Sequence, residues 1–327
     1  MKVLFIGGTG VISSACTRLC KDRGIDLYIL NRGETKREVP KDVNIINVDI
    51  HDKKEAKKAL KGYSFDSVVN WIGFVPEHIE SDIDIFRDIT QQYIFISSAS
   101  AYHTPVKNLP VTESTPLYNP YWKYSRDKIA CENILMREYR DSGFPCVIVR
   151  PSHTYDKTLL PFHGGYTTID RMKKGKKVIV HGDGSSMWTM THHRDFAKGL
   201  VGLLGNHRAV GESFHITSDD YLSWDHITEM AGKCIGIEPE IVHVPSDLIY
   251  RYDREWGESL LGDKTWSMIF DNTKIKRFVP DFNPDIPFSQ GIREIMEWYE
   301  GDAARQSVDK DLDSVMDQLV KGMENTL

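Results

Sequence analysis

The sequence predicts an α/β protein in which a doubly wound parallel sheet precedes a smaller, mixed α/β lobe. In the first half, short and nearly continuous apolar runs rich in β-branched residues alternate with helical patterns. Such runs are typical of parallel strands buried on both faces, and their alternation with helices indicates βαβ units. After Arg150 the pattern loosens, and prolines, glycines and histidines become frequent.

Each predicted element follows from this periodicity. The strand candidates of the first half are 2–6, 26–30, 43–48, 66–71, 92–97 and 146–150, and the helix candidates lie near 11–23, 52–61, 79–89 and 121–141. Later candidates are strands 177–181 and 213–217 and helices near 194–204 and 287–300. We expect one domain over residues 1–155, a second lobe over 156–327, and segments near 190–217 that return to the main sheet.

The tail, 302–327, carries apolar residues at helical spacing with acidic residues between them. This pattern predicts a helix that packs on its own lobe or, alternatively, contributes an oligomer contact, so a homodimer stays open.

Composition excludes several classes of protein. The 327 residues are 40% hydrophobic and 27% charged, with a net charge of −6, which argues against a nucleic-acid binder. No apolar run approaches the ~18–20 residues of a membrane span. The five cysteines form no C-x-x-C pair, and no histidine or cysteine spacing suggests a metal site. We expect Cys16 and Cys20 to face a core, and we expect a cytoplasmic location.

A glycine-rich turn follows the first strand candidate and opens a helix. Gly7 and Gly10 permit a tight turn and close backbone approach, and Val11 and Ile12 lie where helix amides would meet a pyrophosphate. Ser13 occupies the position of the third glycine of this motif. On the first strand–helix turn of a βαβ series, the motif predicts a Rossmann domain that binds a dinucleotide.

The end of the second strand predicts which nicotinamide cofactor is bound. An acidic residue there usually accepts from the ribose of NAD, but this chain has Asn31 and Arg32, followed by Lys36 and Arg37. Arg32 could pair with a 2′-phosphate, which favours NADP over NAD; alternatively, it is a solvated turn residue. The remaining cofactor-lining candidates follow the third and fourth strands: Asp49, Ile50, Asn70, Trp71, Ile72 and Gly73.

A serine cluster after the fifth strand and a Y-x-x-x-K motif predict the catalytic set. Tyr124 and Lys128 lie four residues apart and share one helix face. A tyrosine is a poor base at neutral pH, and the ammonium of Lys128 would favour its phenolate. Ser98 would orient the reacting oxygen while Tyr124 exchanges its proton.

Together these motifs resemble the extended short-chain dehydrogenase/reductases, the NAD-dependent epimerase/dehydratase family. The matching segments are 7–10, 49–50, 97–102, 124–128, 149–151 and 182–184. The resemblance implies a nicotinamide cofactor, often a sugar nucleotide substrate, and catalytic roles for Ser98, Tyr124 and Lys128. It also places Pro151 and His153 beside the cofactor.

Departures from the family pattern narrow the function. The Asp-Glu pair of the 4,6-dehydratases is replaced by Ala99 and Ser100, so a dehydratase is not expected. Trp188 stands where an arginine usually pairs with the diphosphate, and it could stack on a sugar or belong to the core. Without such arginines there are two alternatives. Either other cations pair with the diphosphate, or the substrate is not a nucleotide sugar. The candidate cations are Arg150, Arg194 and Lys264.

Three functions compete. The first is an NAD(P)-dependent epimerase of a sugar-like substrate, and the second is a dehydrogenase or ketoreductase with net cofactor turnover. The third is RNA binding, because the chloroplast stem-loop binding relatives resemble this pattern. The expected substrate contacts are Ser100, His103, Arg150 and Trp188, and His153 could also border the substrate.

Overall fold

The computed structural model describes residues 1–34 and 37–325. Its strands are β1 (Lys2–Ile6), β2 (Asp26–Asn31), β3 (Asn44–Asn47), β4 (Ser67–Asn70), β5 (Tyr93–Ile96), β6 (Cys146–Pro151), β7 (His153–Tyr155), β8 (Val178–His181), β9 (Met187–Trp188), β10 (Met190–His192), β11 (Ser213–Ile216), β12 (Leu222–Ser223) and β13 (Ile241–Val244).

The helices are α1 (Ser13–Asp22), α2 (Lys53–Ala59), α3 (Pro76–Phe86), α4 (Lys123–Ser142), α5 (Tyr166–Lys173), α6 (His193–Leu203), α7 (Trp224–Cys234), α8 (Ser246–Tyr252), α9 (Arg254–Ser259), α10 (Thr273–Phe278), α11 (Phe288–Glu300) and α12 (Lys310–Glu324). A single π-helical turn, Leu260–Lys264, follows α9 among the described residues.

Seven parallel strands form the central sheet in the order β11-β6-β5-β4-β1-β2-β3. This order confirms the doubly wound α/β fold predicted from the sequence. The strand order reverses beside β1, and ligands of such sheets bind in the crevice at the carboxyl ends of the strands near this switch point. The glycine turn after β1 therefore opens directly into the crevice.

The sheet is covered on both faces. One apolar layer packs it against α1 and α6 and includes Cys16, Cys20 and Leu200. The opposite layer packs it against α2, α3 and α4. Cys16 and Cys20 are fully buried, and all five cysteines are free. Burial raises the pKa of both thiols, as expected for small core residues rather than reactive ones.

The second lobe contains three two-stranded sheets: β8 with β13, β9 with β12, and β7 with β10. Strand β11 returns to the central sheet beside β6, and α6 packs on α1. The tail helix α12 packs on its own lobe, where Leu312, Met316 and Leu319 join a cluster with Trp256. Arg171, 2% exposed, also holds α12 through Asp313 and Asp317.

The sequence-based boundaries differ from the structure at a few ends. Helix α3 begins at Pro76 rather than near 79, because proline is favoured in the first turn of a helix, where its missing N–H costs nothing. Strand β3 is two residues shorter than predicted. Among the described residues, we find no helix with the length and apolar character needed to cross a membrane.

Candidate active site

The glycine turn after β1 has the geometry of a phosphate-binding loop. Gly7 and Gly8 have φ of 99° and 95°, a region that favours glycine. A Cβ on Gly7 would lie 3.2 Å from the Cβ of Trp71, so the turn also approaches the end of β4 closely. Helix α1 starts with no side-chain cap and no acidic residue in its first turn, which suits a pyrophosphate at its free amides.

The predicted Val11 and Ile12 lie at the start of α1. The imidazole Nδ1 of His193 lies 3.1 Å from the carbonyl oxygen of Val11 and ties this turn to the first residue of α6. The amide of Gly10 donates to the hydroxyl of Ser13 at 2.7 Å. Ser13 is buried, so serine at the third glycine position fits the helix–strand contact.

The turn after β2 holds fewer free cations than the sequence suggests. The side-chain oxygen of Asn31 accepts from the Gly33 amide at 2.9 Å, and Arg32 pairs with Glu34 at 3.0 Å on the surface. Arg37 turns away to the buried carboxylate of Asp156 at 2.5 Å. The predicted Lys36 lies outside the described residues.

The residues after β3 and β4 divide between the crevice and the core. Ile50 is buried, and the Asp49 carboxylate accepts from the amide of His51. Asn70 does not line the cofactor crevice as predicted, because it is 2% exposed and its amide donates to Asp82 and to Tyr93.

The next three residues form the wall behind the glycine turn. Trp71 packs edge-on against Phe5, and the amide of Ile72 donates to the Asn70 side chain at 2.7 Å. Gly73 has no room for a side chain, since a Cβ would lie 3.1 Å from the ring of Phe95. Its carbonyl oxygen is an acceptor for the catalytic lysine candidate.

Lys128 is fixed by two backbone carbonyls. Its Nζ donates to Gly73 at 2.6 Å and to Ile96 at 2.8 Å, at the ends of two neighbouring strands. The side chain is 2% exposed, and burial lowers its pKa to about 8. The ammonium lies 5.7 Å from the ring centroid of Tyr124, one helical turn earlier on α4.

Tyr124 is protonated in this environment. Burial raises its pKa to about 12, a hydrogen bond with Ser98 acts in the opposite direction, and the charge of Asp263 raises the pKa further. That Lys128, together with the nicotinamide ring of a bound cofactor, favours the phenolate stays a prediction. In the structure the ammonium of Lys128 donates to the two carbonyls.

A chain of hydroxyls supports Ser98. Its Oγ lies 2.9 Å from the Oγ of Ser100, which in turn accepts from Ser125 at 2.7 Å. Ser100 is 3% exposed, so the structure places this predicted substrate contact beneath Ser98 rather than in the open crevice. The turn 98–101 is a short 3-10 helix in which the Ser98 side chain accepts from the Ser100 amide.

Arg150 does not face the substrate as predicted. Its guanidinium makes a bidentate pair with Glu132, with Nη2–Oε2 at 2.6 Å, and stacks on Tyr102 at 4.8 Å. Both members of the pair are buried. Sequence reasoning missed Glu132, although it follows Tyr124 and Lys128 on the same face of α4 at the same four-residue spacing.

Trp188 belongs to the core, which is the second of the two alternatives predicted from the sequence. It is 3% exposed, and its ring lies 6.0 Å from that of Trp224 inside the apolar cluster of the second lobe.

His103 lies near the surface beside Tyr118 and contacts the carbonyl of Pro105. Arg194, another cation considered for a diphosphate, pairs with Glu294.

Pro151 and His153 follow each other closely but lie in different surroundings. Pro151 is buried in the sheet opposite Ile216. His153 lines a cavity of about 220 Å³ in the second lobe, together with His181 and Lys264. Burial lowers the pKa of His153 to about 3 and that of His181 to about 4, so both rings are neutral at neutral pH.

Asn119 and the π-helical turn were also missed from the sequence. Asn119 is 2% exposed and its side chain joins the serine turn, the start of α4 and the π-turn. The Nζ of Lys264, on this turn, lies 5.9 Å from the ring centroid of Trp122. Lys264, considered as a cation for a diphosphate, was the sequence signal for this segment.

The comparisons with known proteins agree with this geometry. The model of the NAD dependent epimerase/dehydratase family matches residues 3–217. The chain belongs to this family. Its fold and its relatives make it an enzyme of the extended short-chain dehydrogenase/reductase type, in agreement with the sequence-based prediction.

Several relatives span most of the chain. A chloroplast stem-loop binding protein of 41 kDa from Arabidopsis thaliana is 24% identical, covering 98% of this chain and 84% of the relative. The 2′-dehydrokanamycin reductase of Streptomyces kanamyceticus is 23% identical over 86% of this chain and 80% of its own length. The UDP-glucose 4-epimerase of Thermus thermophilus, solved with NAD, has a TM-score of 0.72 at 19% identity, covering 92% and 99% of the two chains.

Proposed function

We propose that this enzyme transfers hydride between a nicotinamide cofactor and a secondary alcohol or ketone of a sugar-like substrate, with Tyr124 as the proton donor and acceptor. The observation that carries the proposal is the cluster of Ser98, Tyr124 and Lys128 at the carboxyl ends of β4 and β5. In it the ammonium of Lys128, held by two carbonyls, lies 5.7 Å from the ring centroid of Tyr124, and the hydroxyl of Ser98 lowers the pKa of Tyr124.

The residues of the crevice have separate roles. The free amides at the start of α1 would hold the pyrophosphate, and the cofactor supplies or accepts the hydride. Ser98 orients the reacting oxygen, and Tyr124 gives or takes its proton. Lys128 would hold the ribose hydroxyls of a bound cofactor.

The substrate is proposed to be sugar-like and without a nucleotide diphosphate. Trp188 takes the place of one arginine and is buried, Arg150 is neutralised by Glu132, and Arg194 is paired with Glu294. Among the candidate cations, Lys264 alone lines the cavity in the second lobe. A doubly charged diphosphate with a single cation would be costly to desolvate.

Epimerisation is the first candidate for the net reaction, and reduction of a ketone is the second. The proposal of an epimerase rests on the family resemblance. In such a reaction an alcohol is first oxidised to a ketone, which then receives hydride on its opposite face. Two observations favour the reductase. Tyr124 is protonated and ready to donate, and one relative that spans most of the chain is a 2′-dehydrokanamycin reductase.

RNA binding, suggested by the name of another relative, is disfavoured by the net charge of −6.

The Tyr124→Phe variant tests the proposal. We expect it to retain cofactor binding but to lose at least ~100-fold in turnover, because it removes the acid–base group. Turnover is measured with NAD(H) and NADP(H) against 2′-dehydrokanamycin, which carries no nucleotide. UDP-glucose, UDP-glucuronic acid and dTDP-glucose serve as the nucleotide-sugar comparison. Products are analysed directly and by the absorbance of the reduced nicotinamide. A sustained absorbance change identifies a reductase or dehydrogenase, and an isomeric product without it identifies an epimerase.

Tyr118→Phe is the matched control, because that tyrosine is 52% exposed on the loop before α4. Its turnover should equal that of the unmodified enzyme. Full activity of Tyr124→Phe would contradict the role of Tyr124. Turnover of a nucleotide sugar by the unmodified enzyme would contradict the proposal that the substrate carries no nucleotide diphosphate.

A further inference from the structure

Asp82, on α3, is a buried carboxylate that the proposed chemistry does not use. It is 2% exposed, and its donors in the described part of the chain are uncharged: the side-chain amide of Asn70 and the hydroxyl of Tyr93. Asp84, two residues later, instead pairs with Lys53 at 2.6 Å on the surface. A buried carboxylate that lacks a cation is costly, so its place in the fold requires a reason.

Asp82, Asn70 and Tyr93 form a closed triangle of hydrogen bonds that joins α3 to the ends of β4 and β5. The side-chain nitrogen of Asn70 donates to Asp82 and, at 3.2 Å, to the hydroxyl of Tyr93, which donates to Asp82 at 2.5 Å. Burial and the charge of Asp82 raise the pKa of Tyr93, so its hydroxyl stays a donor. Each of the three side chains is at most 2% exposed, so water does not compete for these bonds.

The triangle decides how the side-chain amide of Asn70 is oriented. A carboxylate oxygen accepts hydrogen bonds, so the nitrogen of Asn70 faces Asp82 and its oxygen faces the other way. That oxygen accepts from the backbone amide of Ile72 at 2.7 Å. A Cβ on Gly73 would lie 3.1 Å from the side-chain nitrogen of Asn70, so the backbone beyond β4 packs directly on this amide. Asp82 therefore fixes that backbone through Asn70.

The segment held in this way, 71–73, touches two parts of the cofactor crevice. A Cβ on Gly7 would lie 3.2 Å from the Cβ of Trp71, so the segment supports the glycine turn from behind. At its other end, the carbonyl of Gly73 accepts from Nζ of Lys128 at 2.6 Å. A shift of the segment would therefore move the support of the glycine turn and an acceptor of Lys128 together.

We propose that Asp82 is a positioning residue, which acts through Asn70 to hold segment 71–73 where the glycine turn and Lys128 can bind one nicotinamide cofactor together. The inference rests on the proposed roles of the glycine turn and Lys128, and it deepens them. Because Asp82 is buried behind Asn70, it acts on the cofactor through that side chain rather than by contact.

The test compares two replacements of Asp82 in the full-length protein. Asp82→Asn keeps an oxygen that can accept from both donors, and Asp82→Leu is close in size but has no acceptor. We expect Asp82→Leu to weaken the binding of NADH and NADPH alike by at least ~10-fold, because the crevice is no longer preorganised. Asp82→Asn should bind both within ~3-fold of the unmodified protein. Quenching of tryptophan fluorescence gives the dissociation constants.

Hydrogen exchange at the Ile72 amide separates positioning from general stability. In Asp82→Leu this exchange should be at least ~10-fold faster, because the oxygen of Asn70 no longer protects the amide. Ile85→Ala is the matched control, since it removes buried apolar atoms from the same helix and leaves the bond between Asp82 and Asn70 in place. It should lower the free energy of unfolding without weakening cofactor binding.

Three results would overturn the inference: unchanged cofactor binding in Asp82→Leu, equal weakening by Asp82→Asn and Asp82→Leu, or equal weakening by Ile85→Ala. If Asp82→Leu does not fold, Asp82→Ser, whose hydroxyl is too short to reach Asn70, takes its place. The proposed function fails differently. Full turnover by Tyr124→Phe would overturn the role of Tyr124, whatever the variants of Asp82 show.

Discussion

At the residue scale, the chemistry of the site depends on where each buried charge finds its partner. The ammonium of Lys128 donates to the carbonyls of Gly73 and Ile96, and the charge of Arg150 is paired with Glu132 through its Nε and Nη2. Neither cation is therefore free to bind a substrate anion. Removing one member of a buried pair leaves an uncompensated charge, so such pairs hold the scaffold of the site in place.

The choice between NAD and NADP is predicted to depend on a few exposed residues after β2. Arg32 is the basic side chain closest to β2, and its present partner is Glu34. We expect Arg32→Ala to weaken NADP binding by ~10–100-fold, the usual size of a lost charge-assisted contact, and NAD binding by less than ~3-fold. Cofactor dissociation constants measured by quenching of tryptophan fluorescence check this.

Glu34→Gln is the complementary variant, because it frees Arg32 and removes a carboxylate that would repel a 2′-phosphate. It should strengthen NADP binding. Arg18→Ala, which removes an exposed arginine from α1, serves as the control for charge alone. Equal weakening of NAD and NADP by Arg32→Ala would show that Arg32 does not contact the phosphate.

At the scale of elements, helix α4 organises the candidate active site. Tyr124, Lys128 and Glu132 succeed one another at four-residue intervals and so share one face of the helix. Along this face Tyr124 lies at the crevice, Lys128 contacts the carbonyls at the strand ends, and Glu132 pairs with the buried arginine of β6. The π-turn closes over the start of the same helix, where Trp122 and Gly262 meet.

The contact between α4 and the π-turn can be tested at Gly262. In Gly262→Ala the new methyl group would lie 2.6 Å from Trp122, so the π-turn must move away. We expect at least ~10-fold lower turnover, since a displacement of about 1 Å near a site is costly. Steady-state kinetics measure the loss.

Gly322→Ala, in α12, is the matched control, because the nearest atom to its new Cβ lies 4.0 Å away. It should keep full turnover. Unchanged turnover in Gly262→Ala would mean that the position of the π-turn does not matter for the reaction.

At the scale of the whole molecule, two lobes meet around the crevice and each has its own apolar core. The tail helix α12 belongs to the core of the second lobe, because Leu312, Met316 and Leu319 pack with Val244 and Ile249. This position supports the sequence-based alternative in which the tail packs on its own lobe. The homodimer stays a prediction, and its interface would have to be formed by other surfaces.

Leu319→Ala tests the role of α12. Leu319 is 1% exposed, so we expect a loss of about 2–5 kcal/mol in the free energy of unfolding, from lost burial and the cavity left behind. Denaturant unfolding measures the loss, and size-exclusion chromatography should show an unchanged oligomeric state. The exposed Gln318→Ala should change stability by less than ~0.5 kcal/mol. A changed oligomeric state with unchanged stability would instead assign α12 to an interface.

The sequence by itself determined the fold class and the glycine turn, and it predicted the set of Ser98, Tyr124 and Lys128, because these depend on local periodicity and on spacings within single elements. Only the tertiary structure decided that Arg150, Asn70 and Trp188 are buried, and that Asn119 joins the serine turn, the start of α4 and the π-turn. The physical reason is that burial and the partners of a charge are set by segments distant in sequence. Residues 119 and 262 are a clear case, because their contact exists only once both lobes are folded.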